Sequence, residues 1–283
     1  MIRGFICLFG LLLLQGCSAI KLGYQQLPTL SYWWLDSAIS FNDTQTDRAK
    51  EALNSVYRWH RQQELVAYLD LLQRGSELSQ TSVQASQVCS VQADILNKMD
   101  RAMRVAITQA APVVQMLGPR QLSHLARHQD SKNEDWDKEW LQGSDTERLA
   151  RRLDKTLERY KSFYGELSAA QVALVKTQLS QSAWTPEWGR QERRRREQDL
   201  LSTLRQLAQS NAPTEQAEAA LWGVWQRWFM PPDPAGSALV QKMTQQNCDN
   251  MAQLHNTTSP EQRQRVARAL RGYDRDIRDL LKP

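Results

Sequence analysis

The sequence predicts an all-α fold, a multi-helix bundle of about nine or ten antiparallel helices joined by short turns. Three observations carry that expectation. The 283-residue chain is rich in Ala, Leu, Gln, Arg and Glu, which form helices readily, and holds only 12 glycines and 10 prolines. Apolar residues recur at three- and four-residue steps over long stretches, the spacing of one helix face. Helix-start signatures, a Ser followed three residues later by Glu or Gln, punctuate the chain. An apolar content of 41% and a charged content of 24% belong to a globular protein and exclude a disordered one.

The first element is a leader. Met1-Ile2-Arg3 gives a short positive start, and Phe5 to Leu14 is apolar apart from Gly10. Leu14-Gln15-Gly16-Cys17 closes the run. This looks like a bacterial lipoprotein signal, too short to span a bilayer, with a small residue before the cysteine that receives the lipids. It makes residues 1–16 a signal peptide and 17–283 a single helical domain, with diacylglycerol and palmitate on Cys17. Ser18 after Cys17, where an Asp would retain the protein, is similar to the enteric pattern for the outer membrane, facing the periplasm. The alternative is an ordinary secretory signal that contains a cysteine.

Cys7 leaves with the signal and Cys17 carries lipid, so Cys89 and Cys248 remain. Two thiols in an oxidising compartment most simply pair; the alternative is two buried free thiols. A Cys89–Cys248 bond would staple an early helix to a late one.

Lys21 to Asp36 reads as a first short helix, with Pro28 in its first turn. Tyr32, Trp33 and Trp34 are candidate binding residues because interfacial aromatics anchor proteins at bilayers. Most of that cluster is nevertheless expected in the core. Leu22-Gly23-Tyr24, Leu27-Pro28-Thr29-Leu30, Tyr32-Trp33-Trp34-Leu35-Asp36 and Arg58-Trp59-His60-Arg61 resemble a family of Gram-negative lipoproteins catalogued only as a domain of unknown function. The resemblance implies an all-helical lipoprotein facing the periplasm and transfers no catalytic residue.

Asp43 or Thr44 caps the next helix, where Ala49, Leu53, Val56 and Tyr57 share a face; a kink is expected near Gln62, and Gly75-Ser76 loosen the end. A long helix from about Thr81 carries Val88, Val91, Ile95, Met99 and Met103 beside Cys89, until Pro112 interrupts it. Gly118-Pro119 marks a boundary, and residues 121–141 are polar, with Trp136 and Trp140 among acids. Ser144-Asp145-Thr146-Glu147 opens a helix that Gly165 closes. Ser168 to Gln171 opens the next, Thr185-Pro186 another, and Ala212-Pro213 a Trp-bearing one stopped by Pro231-Pro232. Asp233-Pro234 starts the helix of Cys248, and Ser259 to Gln262 caps the last, reaching about Leu280.

Leu117 to Gln121, Leu167 to Gln171 and Thr258 to Gln262 form a weak internal repeat. It is similar to the LTxxQ motif of periplasmic stress chaperones, which are small, helical and cradle-shaped. A plain capping box also explains it.

His124 and His128 share a helix face and could hold a metal with Asp130 and Glu134, but they lack the Glu of the HExxH motif and read as solvated residues, with no metal expected. His60 and His255 read as packing or hydrogen-bonding residues. Arg193 and Arg194, in the run 193–196, are candidate phosphate or glycan binders, set against a solvated face paired with Glu192, Glu197 or the acids at 130–139. A net charge of +5 is too slight to imply nucleic acid. No nucleophile elbow, P-loop, dinucleotide fingerprint or CxxC occurs. The expected function is therefore non-enzymatic and needs no cofactor: a lipid-anchored binding or chaperone-like accessory factor for an envelope protein or glycan. The alternative is a peptidoglycan-acting hydrolase built on an unspecified carboxylate pair.

Overall fold

The computed structural model describes residues 16–210 and 212–282, with side chains from Lys21 onward. The charged-then-apolar leader and the Cys17 side chain therefore lie outside the described residues. Every element among those described is helical: α1 (Gly16–Gln25), α2 (Leu27–Ile39), α3 (Asp43–Trp59), a π-helical turn (His60–Glu64), α4 (Leu65–Leu78), α5 (Ala85–Gln115), α6 (Pro119–Trp140), α7 (Asp145–Tyr164), α8 (Ala169–Ser180), α9 (Pro186–Gln209), α10 (Thr214–Phe229), α11 (Pro234–Asn256) and α12 (Pro260–Leu281). α1 runs into α2 across the single residue Gln26, and α3 runs through the π turn into α4. No described helix is long and apolar enough to cross a membrane.

The caps follow the sequence closely. Ser144, Ser168 and Ser259 each accept from the backbone N–H three residues on, while Glu147, Gln171 and Gln262 reach back. Thr185 and Asp233 cap α9 and α11 ahead of a proline. Three expectations shift. Asn42, not Asp43 or Thr44, caps α3. Pro112 sits inside the last turn of α5 and does not end it. Gly75 lies within α4, where a Cβ would meet Leu270 Cδ1 at 3.4 Å; it sits where α12 closes on α4 and does not loosen the helix.

α5 is the spine, 31 residues and about 46 Å long. Its C-terminal half packs with α3, α9 and α10, and α2 and α6 complete that region. Ala38, Leu117, Leu122, Leu125 and Leu204 form one buried cluster there, and Ala111, Leu207 and Ala217 another. Ala111 and Ala217 are fully buried, so small side chains let α5 and α10 approach closely. Its N-terminal half packs with α11 and with α4; α12 covers α4, and α7 and α8 flank α12 and α11. Cys89 on α5 and Cys248 on α11 are disulfide-bonded, with Cα atoms 5.4 Å apart.

At the α6 end Trp136, Trp140 and Trp184 stack in sequence, with Trp140 edge-on to Trp184. A Cβ on Gly189 would lie 2.8 Å from the Trp184 ring, so only glycine lets α9 pass that close.

Candidate functional site

Two features of the α4–α5–α12 region stand out chemically. The first is built on the π turn. The apolar phase of α3 steps through Ala49, Leu53 and Val56; Leu65, Tyr68 and Leu72 resume it one residue late. The extra residue is absorbed as a wider turn, and such turns recur at functional sites. The turn drives Glu64 inward to 0% exposure. Arg101 of α5 stands 3.2 Å from its Oε2, and neither Glu64 oxygen accepts a hydrogen bond. A buried carboxylate with one ionic partner is costly, so this pair is held by the surrounding packing. His60 opens the same turn: Tyr24 Oη lies 2.9 Å from its Nδ1, and Tyr68 Oη 3.3 Å from its Nε2. Burial lowers the His60 pKa, against the Glu64 charge, which raises it. Burial raises the Tyr68 hydroxyl, and Glu64 adds to that.

The second feature is an apolar groove of about 440 Å³ between α4, α5, α7, α11 and α12. Leu78, Val88, Val91, Met251, Val266 and Leu270 form most of its wall. Ile95 and Phe163 stand on its edge, 43% and 36% exposed. Three of the six polar side chains of the wall are hydrogen-bonded, and Gln92, Arg159 and Tyr160 are the others. Tyr164 Oη lies 3.0 Å from His255 Nδ1, His255 Nε2 donates to Thr81 O at 2.9 Å, and Ser79 Oγ donates to Ser76 O at 2.8 Å. Burial lowers the His255 pKa; the Thr81 carbonyl opposes that and Arg263 reinforces it. Arg159 lines the groove from the solvent side. The disulfide ties α5 to α11, two of the walls.

The repeat of capped turns acquires a spatial meaning. Gln171 and Gln262 each donate to the other's Oε1, at 2.9 and 3.0 Å. Gln171 also donates to Thr257 O, and Gln262 to Glu166 O, so each amide reaches the carbonyl two residues before its partner's N-cap. One half of that clasp recurs between α3 and α6: Gln121 donates to Gln45 Oε1 at 2.9 Å, and Gln45 to Met116 O at 2.7 Å. Phe41 to Gln45 is thus a fourth copy, with Asn42 as its cap. Each clasp joins two helix N-termini, whose partial positive charges oppose one another.

Tyr32 is half-buried, with its hydroxyl 3.0 Å from Thr46 Oγ1 and Lys50 over its ring. Trp33 and Trp34 are 62% and 69% exposed, so the core expectation fails for both. Trp34 shares a face of α2 with Leu27, Leu30 and, one turn on, Ala38, but only Ala38 reaches the α6–α9 cluster, and Leu27, Leu30 and Trp34 stay exposed. Arg193 donates to Asn133 and pairs with Glu197; Arg194 reaches Asp137 at 3.4 Å. Arg195 and Arg196 both grip the buried Glu192. The arginine run therefore mainly fastens α9 to α6 and to itself. His124 lies 3.0 Å from Ser37 O of α2, and no group of three metal-ligating side chains occurs among the described residues.

A family of unknown function, DUF6279, matches residues 37–222, about two thirds of the chain. The protein belongs to that family. The DUF6279 match begins after Trp33 and Trp34, whereas the N-terminal resemblance was strongest before it. It takes in the whole Gln45–Gln121 clasp, Glu64, Arg101 and three of the five groove walls, and it ends inside α10, before Cys248 and Gln262. Neither curated proteins nor solved structures yielded a match.

Proposed function

We propose that the protein is a lipid-anchored, non-enzymatic binding factor of the cell envelope, tethered through Cys17 to the outer membrane on its periplasmic side. Its role is that of an accessory protein of chaperone-like kind, which takes an apolar ligand into the groove. The observation that carries the binding role is the groove itself: large apolar side chains, Ile95 and Phe163, stay open to solvent at its edge, where a monomer would ordinarily cover them. The exposed row Leu22, Leu27, Leu30, Trp33 and Trp34 supports the anchoring, since it begins five residues after Cys17 and suits a helix lying on a bilayer. The paired Gln turns extend the likeness to the LTxxQ chaperones from three loose copies to four.

A photoreactive phenylalanine analogue at Phe163 tests the binding role in intact cells. An adduct at 163 that Ile95→Asp abolishes, with none from a control at exposed Gln191, is expected; equal trapping at both positions rejects the groove. For the anchor, a metabolic fatty-acid label should be lost in Cys17→Ser, and a labelled Cys17→Ser protein rejects the tether.

A further inference from the structure

The groove wall discriminates among apolar ligands. An extended peptide brings an N–H and a C=O with every residue, and each needs a partner once water is excluded. The wall has few neutral groups to give, the Tyr160 hydroxyl and the Gln92 amide: His255 is engaged at both ring nitrogens, Tyr164 with it, and Ser79 with its own helix. A hydrocarbon chain asks for none of these. The volume, about 440 Å³, lies at the small end of ligand pockets and suits one chain better than two.

The charge at the rim adds a second requirement. Arg159 lines the groove, is exposed, and has no ion pair among the described residues. Its neighbours on α7, Lys155 and Lys161, are each committed to a glutamate. Arg263 lies behind the same end, and its charge acts on both Tyr164 and His255. An apolar slot with an uncommitted guanidinium at its mouth matches an amphiphile with an anionic head.

We infer that the groove binds a long-chain fatty acid, its hydrocarbon along Val91, Ile95, Val266 and Leu270 and its carboxylate on Arg159. This rests on the reading of the groove as the binding face and names its ligand class. The location fits a ligand drawn from a membrane: Leu270 stands about 14 Å along α12 from Asp279, which Lys21 of α1 grips close to Cys17.

The test uses the full chain in phosphatidylcholine nanodiscs, with diazirine-bearing palmitic acid and, in parallel, diazirine-bearing hexadecanol. Saturable labelling of the α5 segment around Ile95 and of the α7 segment around Phe163 is expected. Ile95→Asp should abolish it. Arg159→Glu, at an exposed position that leaves the fold intact, should raise the half-saturating concentration of the acid by about tenfold and leave the alcohol within about twofold. Labelling that does not saturate, or that maps elsewhere, overturns the site, and equal effects of Arg159→Glu on acid and alcohol overturn the carboxylate contact. Unlabelled phosphatidylglycerol competing better than unlabelled palmitate overturns the single-chain ligand. If a permanently unfolded, carboxymethylated protein protects the groove and palmitate does not, the ligand class fails and the binding role stands. If neither protects it, both fail.

Discussion

Removing the Gln171–Gln262 clasp tests the most distinctive contact in the fold. Gln171 is nearly fully buried, and its amide makes four hydrogen bonds: it accepts from Ser168 N and Gln262 Nε2, and donates to Thr257 O and Gln262 Oε1. At about 1 kcal/mol net for each neutral bond, less where water re-enters, Gln171→Ala should cost about 2–4 kcal/mol. Gln262 is half-buried, so Gln262→Ala should cost about 2 kcal/mol. Two of the bonds are shared between the side chains, and each single variant already loses them. The double variant should therefore cost about 1–2 kcal/mol less than the sum of the singles. Urea unfolding of the three variants, with the disulfide intact, measures that coupling. Additivity within about 0.5 kcal/mol would show that the two turns stand independently and that the clasp is only two adjacent caps.

Three further outcomes follow from the same geometry. Replacing both Cys89 and Cys248 by Ala opens a closure of 159 residues and should lower stability by up to about 5 kcal/mol in the chain-entropy model; a reductant that leaves the wild-type melt unmoved rejects the staple. His60 and His255 both have pKa values lowered chiefly by burial, from an ordinary 6.5, so the unfolded chain binds more protons just below that pH. Their contribution is full above about pH 6.5 and is lost as pH falls through the lowered native values; His60→Gln and His255→Gln should flatten the melting temperature between about pH 5 and 7. Arg101→Ala strands the buried Glu64 and should cost about 3 kcal/mol, the low end of the range because Arg101 itself is more than half exposed; a following Glu64→Leu should restore most of the loss in chemical denaturation.

The helices were legible because their signals are local. A Ser with Glu or Gln three residues on satisfies orphan donors whatever the rest of the chain does, and Ser144, Ser168 and Ser259 all cap as read. The π turn also leaves a local trace, the one-residue delay before Leu65, which suggested only a kink. What stayed hidden is what depends on which helices meet. Gln45, Gln121, Gln171 and Gln262 look alike in sequence, yet their value lies in pairing across 76 and 91 residues. Glu64 reads as a surface residue among His60, Arg61, Gln62 and Gln63 until the wider turn rotates it inward. Trp33 and Trp34 fail in the other direction. Large aromatics usually bury most of their area, so a core was the natural expectation, but α2 is covered only at its end, where Ala38 and Ile39 meet the cluster, and Trp34, one turn earlier on the face of Ala38, lies beyond that cover.

α12 connects the two surfaces on which the functional reading depends. It packs on α1, where Asp279 is paired with Lys21, on α4 along its length, and on α7. Val266 and Leu270 of the groove wall lie on the same helix. A helix transmits position without appreciable bending over a few turns. With α1 tethered as proposed, the groove would be held at a fixed height and orientation relative to the bilayer, not swung on a linker. The closing contacts are of a kind that keeps this geometry: α12 packs on α4 along its length, and Arg61 of the π turn donates to Leu280 O at 2.9 Å and to Lys282 O at 3.1 Å, capping the last turn of α12. Arg61 neighbours His60 and lies three residues before Glu64, so the wider turn that buries the carboxylate also aims this guanidinium at the helix end. The π turn is thus part of what fixes the groove relative to α1, and removing one residue from it would rotate Arg61 off those carbonyls as surely as it would turn Glu64 outward.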